Sequence, residues 1–517
     1  MSEDTNQLPR CPVCGLSVEE EDLKESTPFP CRRSSCNVQL EYDGDALHIK
    51  TYQLADHYSY CVFPFSFLES EDPFQRLRSS KRWEQQRFFQ YNQADVDRTE
   101  YFLPYIRRFQ FPSLYEFGED KHAGEPTCQH FDFDLSLLEG YKEDAVHLTL
   151  EGRNARKNML HAYDITIEAI KLVVYDSRMG FLLIRFGQSS EQASYFEQMN
   201  ATFFMRLLTP LHQDFPMPTL TGDQQTYQMT QLLPYLLAEF GPSKYKKASP
   251  VDFSKELKIP VIPAYEDRMM LYTFSCIKQD TMLDDVESNE RLLDRNTLVN
   301  FDNTFHAQPS KSEEEELTRW SRKRWQGFSK EGGCLVAFDT NRFHLDFLGQ
   351  YHSSYYLDIF ILAVLQRITL LSLFERMADI QALTRGDRKS RRAFRRVHKD
   401  LLLFKNKIWF SQITNRERGL ALWRMWQSTF ENRTLLEEVN EQSKELNAYI
   451  RTQTREKIEW MVRIAGFLGA TVPALLTAKT FFNKYSWGPT LRWSLLSAIL
   501  LGTGIFAWRV LVKGDDE

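Results

Sequence analysis

The stretch that decides the fold reads Ala169-Ile-Lys-Leu-Val-Val-Tyr175 and, after the connection Asp-Ser-Arg-Met, Gly180-Phe-Leu-Leu-Ile-Arg-Phe186. Both runs are rich in β-branched and aromatic residues, and a short polar connection between two such runs is typical of a β-hairpin. Residues 269–276 and 333–338 have the same character. Stretches with helical periodicity, such as 195–208, alternate with these strands. The middle of the chain is therefore predicted to fold as an α/β or α+β domain.

The composition is that of a folded protein whose first 450 residues are soluble. The chain has 517 residues, of which 42% are hydrophobic and 26% charged, which excludes a disordered tail and a collagen-like fibre. Its net charge of −6 excludes a globally basic nucleic-acid coat, and no direct nucleic-acid binding is expected. The polar, acidic start lacks the features of a signal peptide, and the eight cysteines form no regular disulfide framework. We expect the bulk of the protein to lie in a reducing cytoplasm.

Four cysteines lie close together near the start of the chain. Cys11 and Cys14 are separated by two residues, and Cys31 and Cys36 follow with a gap of four. Two pairs of thiolates fit a closed, tetrahedral zinc site with no position left for a substrate. Residues 8–52 are therefore predicted to form a zinc ribbon with structural zinc, its last strand near 38–42. The alternative is four unligated thiols on an exposed tail.

The middle of the chain shows no established catalytic motif, and we expect no enzyme. Phosphate-binding glycine loops, a nucleophile elbow and a zinc-protease motif are all missing from the sequence. Two Glu-x-Lys fragments, at Glu119 and Glu256, are too short to indicate a nuclease. His122 and His130 near Cys128 suggest either a second metal site or ordinary loop and core histidines. The polar residues 279–316 are interpreted as a mobile insertion.

The second half of the chain is predicted to be helical. Residues 355–380 have apolar side chains at helical spacing, and 420–465 contain neither Gly nor Pro. A continuous helix over 420–465 is about 70 Å long at ~1.5 Å per residue. Heptad spacing with partly polar positions follows its later part: Leu436, Val439, Ser443, Leu446, Ile450, Gln453, Lys457 and Trp460. This pattern fits a helix packed in a larger ring, or an amphipathic helix inside a bundle.

A strongly basic segment lies between these helices. Residues 385–399 hold eight Lys or Arg against a single Asp. Two functional interpretations are contact with anionic lipid headgroups and capture of a phosphate-bearing, nucleotide-like ligand. The third is a solvated helix face. The candidate binding residues are Arg388, Lys389, Arg391, Arg392, Arg395 and Arg396.

The end of the chain is predicted to form a hairpin of two membrane spans. Residues 464–478 and 493–508 are uncharged and mostly apolar, and Lys479 and Arg509 lie where long side chains can reach the membrane surface. A buried hydrophobic hairpin is the alternative. Small residues recur every four positions, which favours close helix packing and self-association. They are Gly466, Ala470, Ala474 and Ala478 in the first span and Ser494, Ala498 and Gly502 in the second.

A soluble α/β domain, a long helix that enters a first span, a short loop, a second span and a basic end together resemble the CorA-like divalent-cation transporters. The resemblance covers about residues 350–517. It implies a homopentamer in the inner membrane, multi-pass, with the first span around a central pore and both termini cytoplasmic. The family's Gly-Met-Asn motif is missing; the corresponding stretch is Lys479-Thr-Phe-Phe-Asn483-Lys484, in which Asn483 alone matches.

The charges of the hairpin differ from those of a cation channel. Residues 464–512 contain no Asp or Glu, whereas Lys479, Lys484 and Arg492 surround the outer loop. Rings of basic residues favour anions. The sequence therefore predicts an anion-permeable or loosely selective pore.

These observations predict four parts. They are a zinc ribbon (1–52), a cytosolic α/β domain (53–350), a helical stalk (351–462) and a transmembrane hairpin with its tail (463–517). The leading hypothesis is a cytoplasmically gated channel or ion transporter. Some CorA-like proteins accompany type III CRISPR systems as membrane effectors that respond to nucleotide signals, and this resemblance implies a role in antiviral defence. The alternative is a membrane-anchored interaction protein whose ribbon binds a partner and which forms no pore.

Overall fold

The computed structural model describes most of the chain between residues 53 and 484. The described residues are the strands 29–30, 39–42 and 47–49, together with 53–67, 73–89, 92–115, 126–153, 159–187, 195–209, 217, 219–222, 225–242, 245, 258–278, 317–321, 324–337, 343–382, 388–484 and 497. The chain divides into two compact units. The first contains residues 1–370 and 406–433, and the second contains 371–405 and 434–517.

A small antiparallel sheet lies near the start of the chain. Its strands are β1 (Phe29–Pro30), β2 (Gln39–Tyr42) and β3 (Leu47–Ile49), in the order β1-β2-β3. The strand predicted near 38–42 corresponds to β2. The prediction that this is the last strand of the segment is wrong, because β3 follows β2 and pairs with it.

The main sheet of the first unit has fourteen strands in the described part of the chain. They are β4 (Leu54–Ser66), β5 (Trp83–Gln86), β6 (Cys128–Phe133), β7 (Tyr141–Lys142), β8 (Ala145–Arg153), β9 (Met159–Tyr175), β10 (Met179–Gly187), β11 (Thr219–Thr221), β12 (Thr226–Tyr227), β13 (Ile262–Pro263), β14 (Met270–Ile277), β15 (Leu317–Ser321), β16 (Arg324–Ser329) and β17 (Gly332–Ala337).

The sheet is mixed but mainly antiparallel. Its main path runs β12-β11-β8-β9-β10-β4-β14-β17-β16-β15, and only β14 and β17 are recorded as a parallel pair among the described strands. The predicted hairpin is confirmed: β9 and β10 are antiparallel, with Gly180 opposite Val174. The strands predicted at 269–276 and 333–338 correspond to β14 and β17. The first unit is therefore a mixed α+β domain.

The helices are α1 (Pro73–Arg78), α2 (Gln93–Glu100), α3 (Pro104–Gln110), α4 (Tyr195–Met205), α5 (Met229–Leu236), α6 (Leu357–Ala382), α7 (Arg388–Lys407), α8 (Glu417–Thr429) and α9 (Asn432–Lys484). Helical turns at Phe343–Tyr356 lead directly into α6.

Helices cover both faces of the main sheet. On one face, Phe63 of β4 and Leu172 of β9 share a core with Tyr195 of α4 and Leu232 of α5. The second face is rich in aromatic contacts. Tyr272 of β14 stacks on Phe360 of α6 with 4.9 Å between ring centres, Phe328 of β16 meets Trp426 of α8 at 4.8 Å, and Tyr175 of β9 stacks on Phe109 of α3 at 5.6 Å. Coverage of both faces explains why β10 is an almost continuous apolar run rather than an alternating one.

The second unit contains the end of α6, most of α7 and most of α9. Its core includes Met377 of α6, Phe394 and Leu401 of α7, and Val439 of α9, all buried. Polar contacts join the same helices: Arg376 Nη2 lies 2.6 Å from Asp400 Oδ2, and His398 Nδ1 lies 3.2 Å from Ser443 Oγ. The described residues of the unit up to about 450 form a packed helical bundle.

The continuous helix predicted over 420–465 is wrong in its first part. α8 ends at Thr429, and α9 begins at Asn432 after Glu431, which has a left-handed backbone with φ 52°. Tertiary contacts hold this break: Lys330 Nζ donates to Glu431 Oε2 at 2.7 Å, and Asn432 Nδ2 donates to the Ala363 carbonyl at 3.0 Å. α9 then continues for 53 residues, about 80 Å at ~1.5 Å per residue.

One helix in the described part of the chain is long and apolar enough to cross a membrane. It is Gly349–Ile380, and 78% of its most apolar window is buried inside the protein. Length and composition of this kind are shared by the core helices of soluble domains, and Leu362 and Leu365 are completely buried.

Candidate functional site

The first half of α9 is packed, as its heptad pattern indicates. Val439, Ser443 and Leu446 of the predicted seam are buried, and Leu436 and Ile450 are half-buried. His398 of α7 contacts Ser443, so this part of the seam is covered by the same chain. The bundle interpretation therefore holds for these turns of α9.

The second half of α9 exposes large apolar side chains. Ile458 is 50% exposed, Trp460 54%, Met461 54% and Val462 64%. Gly466 and Gly469 follow on the same helix, and apart from the neighbouring residues and backbone of α9 itself, no described atom lies within 4 Å of the place where a Cβ would be at either glycine. Apolar area left in water costs about 25 cal/mol per Å², so this surface, which we call the exposed apolar segment of α9, is suited to contact lipid or another chain.

The predicted pore residues Lys479, Asn483 and Lys484 lie in the last turns of α9, which continues through the predicted first span 464–478. Their side chains are outside the described residues. The predicted second span, 493–508, is also outside them apart from Ser497.

Three of the six predicted anion-binding residues have described side chains. Arg392, Arg395 and Arg396 are all exposed on α7, and Arg388, Lys389 and Arg391 belong to the same helix with side chains outside the described set. Lys399 is exposed as well. α7 is therefore amphipathic, with a buried apolar face and a basic face in solvent.

The predicted zinc ligands Cys11, Cys14, Cys31 and Cys36 lie outside the described residues. The same holds for Glu119, Glu256, His122 and the insertion 279–316. In the described part of the chain, no group of three or more His, Cys, Asp or Glu side chains is placed to hold a metal ion.

His130 and Cys128 are core residues of β6. His130 Nε2 lies 2.9 Å from the Gln110 carbonyl and 3.5 Å from Cys128 Sγ, and its ring stacks on Phe111. Burial lowers the pKa of His130 to about 4, so its ring is neutral at pH 7. The sequence left open a second metal site or ordinary loop and core histidines, and His130 is a core histidine.

Sequence reasoning missed a partly buried ion pair on the second face of the main sheet, in which the carboxylate is buried and the guanidinium about one fifth exposed. Arg98 of α2 donates to both carboxylate oxygens of Asp358, each at 2.7 Å. The guanidinium also lies over the rings of Phe88 and Phe111, at 5.3 and 5.5 Å from their centres. Asp358 is in the first turn of α6, directly after the helical turns of Phe343–Tyr356.

A second ionic group on this face is partly open to solvent. Arg185 of β10 lies 2.7 Å from Glu168 of β9 and over the ring of Tyr58 at 4.4 Å. Burial raises the pKa of Glu168 and of the nearby Asp56, and Arg185 opposes this rise. Gly187 leaves room for the Glu168 carboxylate, which a Cβ at that position would meet. Because each charge has an opposite neighbour, this group is arranged to hold strands and helix turns together.

A chain of buried hydroxyl groups crosses β4, β14 and α4. His57 Nδ1 lies 2.9 Å from Ser275 Oγ, and Ser59 Oγ lies 2.9 Å from Thr273 Oγ1 and 3.2 Å from Thr202 Oγ1. Burial lowers the pKa of His57 to about 3. All five side chains are shielded from solvent, so this Ser-His arrangement has no access for a substrate and serves packing.

The sequence did contain a signal for these groups. Arg185 is the one charged residue within a buried apolar strand, and Asp358 opens a long apolar helix. A buried charge needs a partner, but which residue supplies it depends on contacts between positions far apart in the chain.

The fold and these sites define a mixed α+β protein with a helical bundle. One long helix of this bundle, α9, carries an exposed apolar segment. Comparison of the chain with protein-family models, curated proteins and solved structures found no match.

Proposed function

We propose that this protein is an oligomeric membrane channel or ion transporter of the CorA-like type, controlled by its α+β domain. The observation that carries the proposal is the change along α9 from a packed helix at Val439–Leu446 to the exposed apolar segment beginning at Ile458. The helix then continues through the predicted first span without a break.

The exposed apolar segment suits the entry of α9 into a bilayer. Trp460 is at the position where aromatic anchors occur at a membrane surface, about one turn before the uncharged stretch that starts at Ile464. Pro473 lies inside the helix and Thr477 Oγ1 donates to its carbonyl at 2.6 Å. Prolines inside helices are more frequent in membrane spans than in soluble proteins.

Close helix association supports an oligomer. The glycines Gly466 and Gly469 leave room for a neighbouring backbone, and nothing in the described chain fills it. Small residues at such positions let membrane helices approach one another. The resemblance to CorA-like transporters makes a pentamer the expected assembly, in the inner membrane and with cytoplasmic termini.

A zinc ribbon at the start of the chain belongs to the same proposal. Cys31 and Cys36 fall between β1 and β2, which pair with each other, and Cys11 and Cys14 precede β1. Two cysteine pairs, one of them between paired strands, fit a structural zinc site. The ribbon would act as a binding or sensing module and not as an enzyme.

The first experiment is the mass of the full chain in detergent or nanodiscs, by native mass spectrometry or light scattering. A pentamer supports the pore, and flux of chloride and magnesium into proteoliposomes then identifies the ions. A monomer or dimer that stays in the membrane contradicts the pore and favours the membrane-anchored interaction protein. A chain that alkaline carbonate removes from membranes contradicts both.

A further inference from the structure

We propose that one face of α7 docks on the surface of a bilayer that contains anionic lipid. The face consists of Arg392, Arg395, Arg396 and Lys399 with Leu402 and Leu403, and we call it the α7 docking face. This inference rests on the proposed function, because it needs a membrane near the helical bundle, and it names the lipid class and the contact residues.

The geometry of α7 places these six residues together. At about 100° per residue they fall within an arc of about 120° on the helix. Phe394, Val397, Leu401 and Phe404 lie on the opposite side and are buried. The docking face is therefore one continuous surface, with its basic residues first and its two leucines one turn later.

The basic part of the face is free to bind an anionic partner. In the described part of the chain no carboxylate pairs with Arg392, Arg395, Arg396 or Lys399, whereas Asp400 on the flank of the helix is already paired with Arg376. Basic residues at the surface of an anionic membrane contribute ~1 kcal/mol each. Four of them act over one arc without a carboxylate partner among the described residues of the chain.

The two leucines favour a lipid surface over a soluble phosphate ligand. Leu402 is 48% exposed and Leu403 43%, and both lie on the same side of α7 as the four basic residues. Inorganic phosphate in solution gains nothing from apolar side chains beside the cations, and a nucleotide covers them only with its base. A bilayer accepts both, since cations meet headgroups while leucines enter the boundary with the acyl chains.

The bundle holds the docking face in place. The Arg376–Asp400 pair joins α7 to α6, and the contact between His398 and Ser443 joins it to α9. Because the apolar side of α7 is already packed, the helix does not need to fold or turn over when it meets a membrane.

The test uses the full chain with Leu403→p-benzoylphenylalanine, irradiated in the presence of nanodiscs or vesicles. The expected result is a covalent phospholipid adduct on the α7 peptide, detected by mass, when the bilayer is phosphatidylcholine with about 30% phosphatidylserine. The adduct should fall severalfold with phosphatidylcholine alone, and also at about 0.5 M salt, where surface charges are screened.

Substitutions separate the docking face from other basic surfaces. R392Q, R395Q, R396Q and K399Q together should lower the adduct at least about tenfold, since each charge contributes about fivefold. The matched control replaces four exposed basic residues elsewhere, R416Q, R424Q, K444Q and R451Q, and should leave the adduct unchanged. Leu402→Ser should lower it as well.

Three results overturn the inference: no lipid adduct, equal adducts on neutral and anionic bilayers, or loss of the adduct in the control set. Binding of inorganic phosphate to the basic face without lipid adducts identifies a soluble phosphate ligand instead. The fate of the proposed function is read separately by alkaline carbonate. If alkaline carbonate extracts the chain but anionic-lipid adducts still form, the docking face is supported and the membrane spans are contradicted. If the chain stays in the membrane but no adducts form, the membrane spans are supported and the docking face is contradicted.

Discussion

At the residue scale, the first unit contains a buried carboxylate that is paired with a partly exposed arginine. Arg98 and Asp358 form two charge-assisted hydrogen bonds across α2 and the start of α6, next to aromatic rings. Asp358 is almost completely shielded from solvent. A buried pair is costly to split because the remaining ion has lost its water and has no other partner.

Asp358→Asn should therefore be strongly destabilising. The substitution keeps the shape of the side chain and removes the counter-charge closest to Arg98, which is only partly exposed, so we expect a loss of about 2–3 kcal/mol in the free energy of unfolding. Urea denaturation followed by tryptophan fluorescence measures it. Glu431→Gln, in the exposed pair with Lys330, is the control and should cost at most about 1 kcal/mol. Equal losses in both variants would contradict the role given to burial.

Three buried histidines should make stability depend on pH. Burial lowers the pKa of His57 and His352 to about 3 and of His130 to about 4, from 6.5 in the unfolded chain. Between the folded pKa values and 6.5, the unfolded chain binds more protons than the folded chain. The contribution of the three neutral histidines to the free energy of unfolding is therefore complete above pH 6.5 and is lost as pH falls. The slope should reach ~1.4 kcal/mol per pH unit for each histidine. Denaturation at pH 7, 6 and 5 tests this, and His57→Asn, which cannot titrate, should reduce the slope by about a third. A flat profile would refute it.

At the element scale, α9 combines two environments in one helix. Its first turns are held by the bundle, and its exposed apolar segment has no cover within the described chain. Substitutions in the packed turns should therefore lower the free energy of unfolding, whereas substitutions in the exposed apolar segment should change assembly or membrane retention.

Replacing Trp460, Met461 and Val462 by serine should change the free energy of unfolding by less than about 0.5 kcal/mol per residue, because these side chains bury little area. The same variant should shift the full chain to smaller assemblies or weaken its retention in membranes. Leu446→Ala, in the packed turns, should cost about 2–5 kcal/mol. Denaturation and native mass spectrometry measure the two effects. A triple variant that assembles like the parent chain would exclude the exposed segment from the interface.

The small β1-β2-β3 sheet is the second element with a testable requirement. A domain of this size gains much of its folding free energy from a bound metal. Cys36→Ser should reduce bound zinc from about one ion per chain to nearly none, measured by elemental analysis of the purified chain. Cys61→Ser, a buried thiol of β4, is the control and should keep the metal. Unchanged zinc in the first variant would remove Cys36 from the site.

At the scale of the whole molecule, charge is unevenly distributed along the chain. The net charge is −6, yet residues 464–512 contain no acidic side chain, whereas Lys479, Lys484 and Arg492 surround the predicted outer loop. In a symmetric assembly each of these residues is repeated in every subunit, and the resulting rings decide which ions enter.

In the proposed pore, Lys479→Glu with Lys484→Glu should therefore change the ion preference from anions toward cations. Reversal potentials in planar bilayers under a salt gradient measure this preference, and the expected result is a change of sign. Lys444→Glu, an exposed charge on the packed turns of α9, should leave the reversal potential as in the parent chain. If the double variant conducts with unchanged selectivity, the two lysines do not line the pore.

The sequence by itself determined the features that depend on neighbouring residues. The β9-β10 hairpin follows from two β-rich runs and their polar connection, and the amphipathic character of the first half of α9 follows from the spacing of its apolar residues. The candidate site on α7 could also be predicted, since eight basic residues in fifteen are visible without a structure. Its two exposed leucines were not predicted, because their exposure depends on which side of α7 packs.

Only the tertiary structure decided the features that join distant residues. The break at Glu431 interrupts a stretch without Gly or Pro because Lys330 and Ala363 hold the turn from about 70 to 100 residues away. The Arg98–Asp358 pair joins positions 260 residues apart. The order of the main sheet, with β14 between β4 and β17, is likewise a matter of long-range pairing. Local propensity acts over a few residues, whereas burial and charge pairing are settled only when the whole chain has packed.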